Sequence, residues 1–469
     1  MNPKYFHFEI MLIFLLAFSM NGFAQFAQND TVWKKSFGGS GNDYFNSVTV
    51  VSDGVVAVGY AEEKSFGNGD WTDIKGKGGC DAIVVKYNNN GNLLWKKSFG
   101  GDDNDYFNSV TAVSNGVVAV GSSWRGSDTG DWEKVNDKSK HVYNCNAIIV
   151  KFDNNGNIIW KKRFGSDFGV ENYYAVTVVS DGIVAVGDSR GSNGTGDWQG
   201  VTFAGQNAII VKYDNDGNVV WKKNFANDEK CSYGAYKFNS VTAVPDGIIA
   251  VGSSDRGNKP DKKGVRYNDL VYREDKSNYD AIVVKFDNDG NVVWTDDYVE
   301  RRGDYYNSVM AVPDGIIAVG NVDIVKYDNN GDVKWYKNTK REGPIQFDGF
   351  SGITQISDTI IPCEKCPVEV FDEIFAVGGS VLSKYLYKDE NGMIIHRYDE
   401  GEGISLLSSS YPSADYKSVV AVSDGVIAVG SATQKMTDED KKEREDKLNK
   451  DGFYLFTTQD AIIVKYGIR

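Results

Sequence analysis

The chain has 469 residues, of which 41% are hydrophobic and 13% aromatic, enough apolar side chain for a folded core and too much for a disordered chain. Its 65 acidic and 51 basic residues give a formal charge of -14, which disfavours binding to nucleic acid or to anionic lipid. This length is large for one ordinary domain, but a repeat architecture grows by adding units.

The first 24 residues predict a secretory signal peptide. Lys4 precedes an apolar run over residues 10–18, and Gly22 and Ala24 supply the small side chains of a cleavage site. The run is too short to cross a bilayer comfortably, and no second run follows. We therefore expect a secreted or periplasmic protein without membrane insertion. It would consist of a short segment, 25–30, and one domain over residues 31–469.

From residue 31 onward, the same four-strand pattern is written seven times. Each copy contains Ala-Val-Gly. Six copies carry a Trp in the last strand, and the remaining copy has His396 at that place. In the first copy, strands are predicted over 47–51, 55–59, 81–87 and 93–99, joined in pairs by turns that contain Gly. Repeats of this length, made of short strands and tight turns, are typical of propeller blades.

The ends of the repeated region predict how the ring closes. It starts with a fourth strand, 31–37, and ends with a third strand, 460–466. The sequence therefore predicts an all-β protein, a seven-bladed β-propeller of four-stranded antiparallel blades in which the first strand completes the last blade.

Several segments resemble a known repeat. They are Trp-Lys-Lys-Ser-Phe-Gly-Gly (33–39), Asn-Asp-Tyr-Phe-Asn-Ser-Val (42–48), Gly-Asp-Trp (69–71) and Asp-Ala-Ile-Val-Val-Lys-Tyr (81–87). Together they resemble the SBBP-type β-propeller repeats of secreted bacterial proteins, over residues 31–469. The resemblance implies a propeller fold and a location outside the cytoplasm, and it implies no activity.

A propeller has two ends with different connections. The turns between the first and second and between the third and fourth strands share one end, and here they are short. The connections from the fourth strand to the next first strand, and from the second to the third, share the other end, and here they are long and varied. We call this second end the loop-rich face and expect binding there.

Eight aromatic residues of the loop-rich face are candidate ligand contacts, because aromatic rings beside carboxylates suit sugar rings and also anchor protein partners. They are Trp71, Trp124, Trp132, Trp198, Tyr44, Tyr106, Tyr174 and Tyr305. The Gly-Asp-Trp and Asp-Tyr motifs recur, so an alternative is that these side chains only hold their own loops. Trp124 does not recur, which makes it the stronger candidate.

The cysteines suggest one local bridge. Cys363 and Cys366 are a candidate disulfide in an oxidising compartment. Cys80 and Cys145 occupy equivalent places in successive copies and are expected to be free and buried. The pattern leaves the redox state of Cys231 open.

The sequence contains little that suggests catalysis. Beyond the signal peptide it has only His141 and His396, and no Ser-His-Asp set, phosphate-binding loop or zinc-ligand spacing. We expect no metal, no cofactor and a monomeric, non-catalytic protein that binds a glycan or a cell-surface protein. The alternatives are a polysaccharide-active enzyme, a glycosidase or lyase with a carboxylate pair, and a passive structural spacer.

Overall fold

The computed structural model describes residues 31–124, 129–133, 145–191, 194–203, 205–226, 235–255, 279–298, 305–321, 323–338, 351–361, 369–378, 381–388, 393–398, 414–433 and 459–467. The predicted signal peptide and segment 25–30 lie outside these residues, as do Cys231, Cys363 and Cys366. In the described part of the chain, no helix is long and apolar enough to cross a membrane.

Nearly all regular structure in these residues is strand, arranged in consecutive groups of four. The first two groups are β2 (Asp43–Val51), β3 (Gly54–Glu62), β4 (Cys80–Asn88), β5 (Leu93–Phe99), and β6 (Asp105–Val113), β7 (Gly116–Trp124), β8 (Cys145–Asp153), β9 (Ile158–Phe164). The third and fourth are β10 (Val170–Val179), β11 (Gly182–Arg190), β12 (Gln206–Tyr213), β13 (Val219–Phe225), and β14 (Tyr236–Val244), β15 (Gly247–Asp255), β16 (Tyr279–Phe286), β17 (Val292–Tyr298).

The remaining groups follow the same order. The fifth and sixth are β18 (Tyr306–Val312), β19 (Gly315–Gly320), β20 (Asp323–Asp328), β21 (Val333–Asn338), and β22 (Gly352–Ile361), β23 (Glu369–Gly378), β24 (Val381–Lys388), β25 (Met393–Tyr398). The seventh is β26 (Ala414–Val422), β27 (Gly425–Thr433), β28 (Gln459–Gly467) and β1 (Thr31–Phe37).

The first and last strands of the described chain share one sheet. β1 runs antiparallel to β28, with Lys35 opposite Ile463 and Phe37 opposite Ala461. The sheet order is β1-β28-β27-β26, so β1 takes the place that the fourth strand has in the other groups. The predicted pairing of the first strand with the last blade is therefore confirmed.

The strands are not divided into seven separate sheets, which corrects the sequence-based prediction. Five groups are separate four-stranded sheets, but the second and third form one eight-stranded sheet through a single parallel pair, Val170 with Cys145. The physical reason is an open backbone edge. The outer strand β9 ends at Phe164, opposite Ala147. The edge of β8 at Cys145 therefore has no partner in β9, and Val170 of β10 pairs with it.

The groups are arranged in a closed ring. The first strand of each group contacts the first strand of the next, in the order β2, β6, β10, β14, β18, β22 and β26, and β26 contacts β2. Apolar side chains fill the space between neighbouring groups, as where Phe45 and Val48 pack against Ile427 and Val429. The protein is an all-β propeller, in which the first strand of a group is inner and the fourth is outer.

Five outer strands contact the next group through their Trp. The Trp95 indole N–H donates to the carbonyl of Asn154 at 3.0 Å, across the turn between β8 and β9. In the same turn Gly156 has φ +78°, and a Cβ added there would lie 2.9 Å from the Trp95 ring. The same contact joins Trp33 to Gly91, Trp160 to Gly217, Trp221 to Gly290 and Trp294 to Gly331.

Third strands carry a buried Lys at the end of the ring that lies opposite the loop-rich face, and this Lys stabilises the turns there. Lys86 forms a 2.7 Å ion pair with Asp53 in the turn between β2 and β3, and its ammonium also donates to the Asn154 carbonyl of the next group. Its side chain is almost fully buried, whereas Asp53 is exposed. Ion pairs of this type recur at Lys212, Lys285, Lys326 and Lys465.

We expect Gly156→Ala to be more destabilising than an alanine at another left-handed glycine. The left-handed conformation alone costs about 1–2 kcal/mol, and at Gly156 the new methyl group also displaces the Trp95 ring. Gly67 is the matched control, because its φ is +80° and nothing lies within 4 Å of its added Cβ. Chemical denaturation of both variants measures the difference, and equal losses of stability would show that the Trp contact contributes nothing.

Candidate functional site

Three of the candidate Trp residues are buried, which removes them as ligand contacts. Trp71, Trp132 and Trp198 each end a single 3-10 turn formed by the Gly-Asp-Trp motif, and each side chain is 0% exposed. Their rings pack edge to face against the last residue of an outer strand, as Trp71 does on Phe37 at 4.8 Å. The recurring motif therefore holds its own loop, as the alternative interpretation of the sequence proposed.

The motif works as a clamp between two connections of the loop-rich face. The backbone N–H of Asp70 donates to the Gly38 carbonyl at 2.8 Å, and the Asp70 carboxylate accepts from the Gly38 N–H at 3.0 Å. One residue further on, the Trp71 indole N–H donates to Asp43 Oδ1 at 2.8 Å. The same three bonds recur around Asp131 and Trp132 in the second group.

Asp43 is the buried acceptor on which this clamp closes. Besides the Trp71 indole, its carboxylate accepts the Gly39 N–H at 3.0 Å and the Ser65 hydroxyl at 2.7 Å. Burial raises the pKa of Asp43 to about 6, although these hydrogen bonds act in the opposite direction. Burial also raises the pKa of Asp81, at the start of β4, to about 6.

In the third group a Glu replaces this Asp, and the clamp is incomplete. The Glu171 carboxylate accepts hydrogen bonds from the hydroxyls of Ser166 and Ser189, at 2.8 and 3.1 Å. The buried indole N–H of Trp198 has no hydrogen-bond acceptor within the described residues. Burial raises the pKa of Glu171 from an ordinary 4.5 to about 7.

Two of the candidate Tyr residues lie side by side near the inner edge of the loop-rich face. Tyr44 and Tyr106 are each the second residue of an inner strand, β2 and β6, and not part of a loop. Tyr60 of β3 stacks on Tyr44 at 4.7 Å and meets Tyr106 edge to face at 4.9 Å. We call these three residues the tyrosine cluster. Their rings are half-buried.

The other two candidate Tyr residues are not part of this cluster. Tyr174 is not the equivalent of Tyr44, because Asn172 pairs with Asp188 as Tyr44 pairs with Tyr60. Tyr305, which precedes β18, is half-buried, and its backbone N–H donates to Asn321 Oδ1 at 3.3 Å.

A polar cluster surrounds Asp188 in the third group. Its fully buried carboxylate accepts hydrogen bonds from Asn172 Nδ2 at 3.3 Å, Arg190 Nε at 3.0 Å and Gln206 Nε2 at 2.5 Å. The Tyr174 hydroxyl bonds the same carboxylate. We call these five residues the Asp188 cluster. The ammonium of Lys237, from the fourth group, lies 4.5 Å from the centre of the Tyr174 ring, and burial lowers its pKa.

Trp124 is the exposed residue among the candidate Trp side chains. It ends β7 with 41% of its surface exposed, and its backbone N–H donates to the Asn104 carbonyl at 2.9 Å. Strand pairing places it in one row with Cys145, Val170 and Arg190. Trp124 therefore lies in the same cross-strand row as Arg190, which is a member of the Asp188 cluster. Phe168, two residues before Val170, is 60% exposed.

Sequence reasoning missed Tyr60, Phe168 and the Asp188 cluster except for its Tyr174, which was a candidate. A usable signal was present, because these positions depart from the repeat. The residue after Ala-Val-Gly is Tyr60 in the first copy and Asp188 in the third, but Ser in the second, fourth and seventh. Of the two cysteines expected to be free and buried, both are free, Cys145 is buried and Cys80 is only half-buried. Within the described residues, no group of three or more His, Cys, Asp or Glu side chains could hold a metal ion.

Comparison with known proteins leaves the family unassigned. No family model matches the chain. The regulatory protein FlaEY of Caulobacter vibrioides is 28% identical over 191 residues, and the match covers 40% of this chain and 20% of the length of that protein. The WD40 domain of Neurospora crassa Pan2 superposes with a TM-score of 0.44 and 9% identity, covering 94% of this chain and 98% of that one. The WD40 β-propeller domain of Doa1 superposes with a TM-score of 0.42 and 12% identity, covering 92% and 97%.

We expect Trp71→Phe to destabilise the protein more than Trp198→Phe. The first change removes a hydrogen bond to a buried carboxylate, which costs about 1–3 kcal/mol. The second removes an indole N–H without an acceptor in the described structure. Both Trp side chains are fully buried, so the loss of packing is matched. Denaturant unfolding followed by circular dichroism measures both, and a larger loss for Trp198→Phe would contradict the clamp.

We expect the free energy of unfolding to fall as the pH rises from about 5 to about 8. The folded state holds the Glu171 proton more tightly than the unfolded chain, so this stabilisation is complete below the ordinary pKa and is lost through a pH of about 7. For Glu171 alone the change is at most about 3 kcal/mol. Glu171→Gln should reduce the slope, whereas Asp216→Asn at an exposed turn should leave it unchanged. Melting temperatures across this pH range test both variants.

Proposed function

We propose that this protein is a secreted or periplasmic seven-bladed propeller of the SBBP type that binds a glycan through its loop-rich face and catalyses no reaction. Support for seven blades comes from the seven groups of four strands and from the closed order of the inner strands. The eight-stranded sheet counts as two blades in this proposal, because a single residue pair joins its halves.

The observation that carries the binding proposal is the exposure of Trp124. The recurring aromatic residues of the Gly-Asp-Trp motif are buried and bonded to the scaffold, whereas the non-recurring Trp124 leaves 41% of its surface to solvent. Phe168 is also exposed on a connection of the same face. An exposed aromatic side chain that the scaffold does not need supports a contact surface over a passive spacer.

The chemistry on either side of Trp124 favours a carbohydrate. The tyrosine cluster offers aromatic rings in the first two groups, and the Asp188 cluster offers amide and guanidinium groups in the third. Sugars present apolar ring faces for stacking and hydroxyls for hydrogen bonds, so both kinds of surface would be used. A cell-surface protein is the second candidate, because exposed Trp and Arg side chains are also frequent anchors of protein interfaces.

The environment of the acidic residues supports the non-catalytic part of the proposal. A glycosidase acid needs a raised pKa, and Asp43, Asp81 and Glu171 have one. However, each of these carboxylates is buried and bonded to loop backbone or to loop side chains. This arrangement stabilises the loops and leaves none of these three carboxyl groups directed at a substrate.

We expect Trp124→Ala to reduce binding at least about tenfold, because stacking and burial of an aromatic anchor contribute about 2 kcal/mol or more. A glycan array of the purified protein identifies the ligand, and titration calorimetry with that glycan measures the change. Tyr336→Ala is the matched control, since Tyr336 is 49% exposed on the outer strand β21, away from the loop-rich face.

Three results would count against the proposal. One is the absence of any glycan bound by the native protein, and another is an equal effect of Trp124→Ala and Tyr336→Ala. The third is release of reducing ends from a bound glycan, which would favour the polysaccharide-active enzyme. A pull-down in which native protein and not Trp124→Ala retains a surface protein would favour the second candidate.

A further inference from the structure

Two carboxyl groups lie close together in the interior between the first and second groups. Asp81 is the second residue of β4 and Asp105 is the first residue of β6, and the two residues are 0% and 1% exposed. A Cβ added to Gly100, in the connection before β6, would lie 2.7 Å from Asp105 Oδ2 and 3.0 Å from Asp81 Oδ1. The two oxygens therefore converge on one point, and we call Asp81 and Asp105 the acid pair.

Among the described residues, hydrogen bonds reach only three of the four oxygens of the acid pair. Asp105 Oδ1 accepts the Trp132 indole N–H at 2.9 Å, and Oδ2 accepts the Gly101 N–H at 2.8 Å. Asp81 Oδ2 accepts the Lys77 backbone N–H at 2.8 Å. Asp81 Oδ1 is buried and has no hydrogen-bond partner in the described part of the chain. Burying a charged oxygen without a donor is costly, so this site disfavours the ionised form of Asp81.

The charges around the acid pair leave one negative charge unbalanced. In the described structure, Lys77 and Arg163 are the cations that act on the pair most strongly, and Asp131 is the further acid. Lys77 forms an ion pair with Asp131 at 2.8 Å. Arg163, which stands where the preceding outer strand has Ser98, attracts the Asp105 carboxylate. With both members of the pair ionised, three acids face two cations, so one proton on the pair makes these five groups neutral.

Other groups have an amide where the first group has Asp81. The second residue of the third strand is Asn146 in β8 and Asn207 in β12. Asn146 faces the Glu171 carboxyl group across a glycine of the next connection, in the same way as the members of the acid pair face each other. An amide has the shape of a protonated carboxyl group and carries no charge. The repeat therefore accommodates the neutral form of Asp81 at this position.

The junction between the last and first groups has a second pair of this kind. Asp43 Oδ2 and Asp460 Oδ1 lie 2.7 and 3.0 Å from a Cβ added to Gly38, the same distances as at Gly100. Burial is the main cause of the raised pKa of Asp43, and the Asp460 carboxylate acts in the same direction. The arrangement therefore recurs at two junctions of the ring.

We propose that the acid pair shares one proton and forms a pH-sensitive switch for the connections of the loop-rich face. With the proton bound, the pair carries a single charge, and the connection through Gly100 is closed against the first group. Without the proton, two buried carboxylates repel each other and the connection loosens. The carbonyl of Asn104, next to Asp105, accepts the Trp124 N–H at 2.9 Å, so the same connection supports Trp124. The proposal does not rest on a ligand at Trp124.

The switch is closed in acid and opens as the pH approaches neutrality. Burial raises the pKa of Asp81 from an ordinary 3.8 to about 6, and the Asp105 carboxylate acts in the same direction. Burial also raises the pKa of Asp105. The thiols of Cys80 and Cys145 add no charge in this range, because burial raises the pKa of both. Since the folded state holds the proton more tightly, its stabilisation is complete below about pH 4 and is lost as the pH rises through about 6.

The Trp132 indole N–H reports on the pair directly, because it donates to Asp105. Its resonance is followed by NMR in full-length protein labelled with ¹⁵N-tryptophan, between pH 4 and pH 8, and Trp132→Phe assigns it. We expect a shift with a midpoint near pH 6 in the native protein. In Asp81→Asn the midpoint should move to lower pH, because Asp105 then ionises without a charged neighbour.

Stability measurements provide an independent test with matched variants. Asp81→Asn holds the pair in a neutral form and keeps an oxygen for the Lys77 N–H. At pH 8 its unfolding equilibrium constant should be at least about tenfold smaller than that of the native protein, whereas at pH 4.5 the two should be nearly equal. Asp216→Asn removes the same charge from an exposed turn and should show no such difference. The reciprocal variant Asn146→Asp places a second acid beside Glu171, so its stability should fall more steeply with rising pH. Chemical denaturation at both pH values measures all of these proteins.

The proposal is overturned if the Trp132 resonance does not titrate between pH 4 and pH 8, or if its midpoint is the same in the native protein and Asp81→Asn. It is also overturned if Asp81→Asn is less stable than the native protein at pH 8. A melting temperature that Ca²⁺ raises at pH 8 in the native protein, but not in Asp81→Asn, would show that the pair holds a cation instead of a proton, and this result would overturn the proposal as well.

Discussion

The ring depends on the contact between an outer-strand Trp and a glycine turn of the next group. Hydrogen bonds between strands stabilise each sheet, but only side-chain contacts and loops join neighbouring sheets around most of the ring. The Trp95 indole covers Gly156 and donates to a backbone carbonyl of the same turn, so one side chain fixes both the distance and the register between two groups. The same contact is present at five of the junctions between neighbouring groups.

A different device stabilises the loop-rich face, and it uses charge as well as apolar packing. There the connections are long, and buried carboxylates such as Asp43 collect several loop hydrogen bonds at one point. Burying an acid is costly, which is why its pKa rises and why the donors must converge on it. The loops are thus rigid where the repeat is kept, and new side chains such as Trp124 and Arg163 lie at positions where the repeat is broken.

The fold could be predicted from sequence because its signals are local and repeated seven times. Turn glycines, alternating strands and the recurring Trp place each strand without knowledge of distant contacts. The site was predicted less well, because exposure depends on tertiary contacts. The sequence separates the recurring Trp71 from the non-recurring Trp124, but it does not show that Asp43 receives the Trp71 indole and that the ring is buried. Tyr174 likewise lies two residues beyond Asn172, which has the strand position of Tyr44, and it therefore belongs to the Asp188 cluster.

The pairing of β1 with β28 has a consequence for how the chain folds. Almost the whole chain lies between these two strands, so their contact is among the most non-local in the molecule. β1 is synthesised long before β28 and cannot take its place in the sheet until β28 has followed. Its consecutive lysines, Lys34 and Lys35, are the side chains that natural proteins use to keep a strand edge from pairing with other molecules. Ring closure therefore depends on one of the most non-local contacts of the fold, and contacts of this kind slow folding.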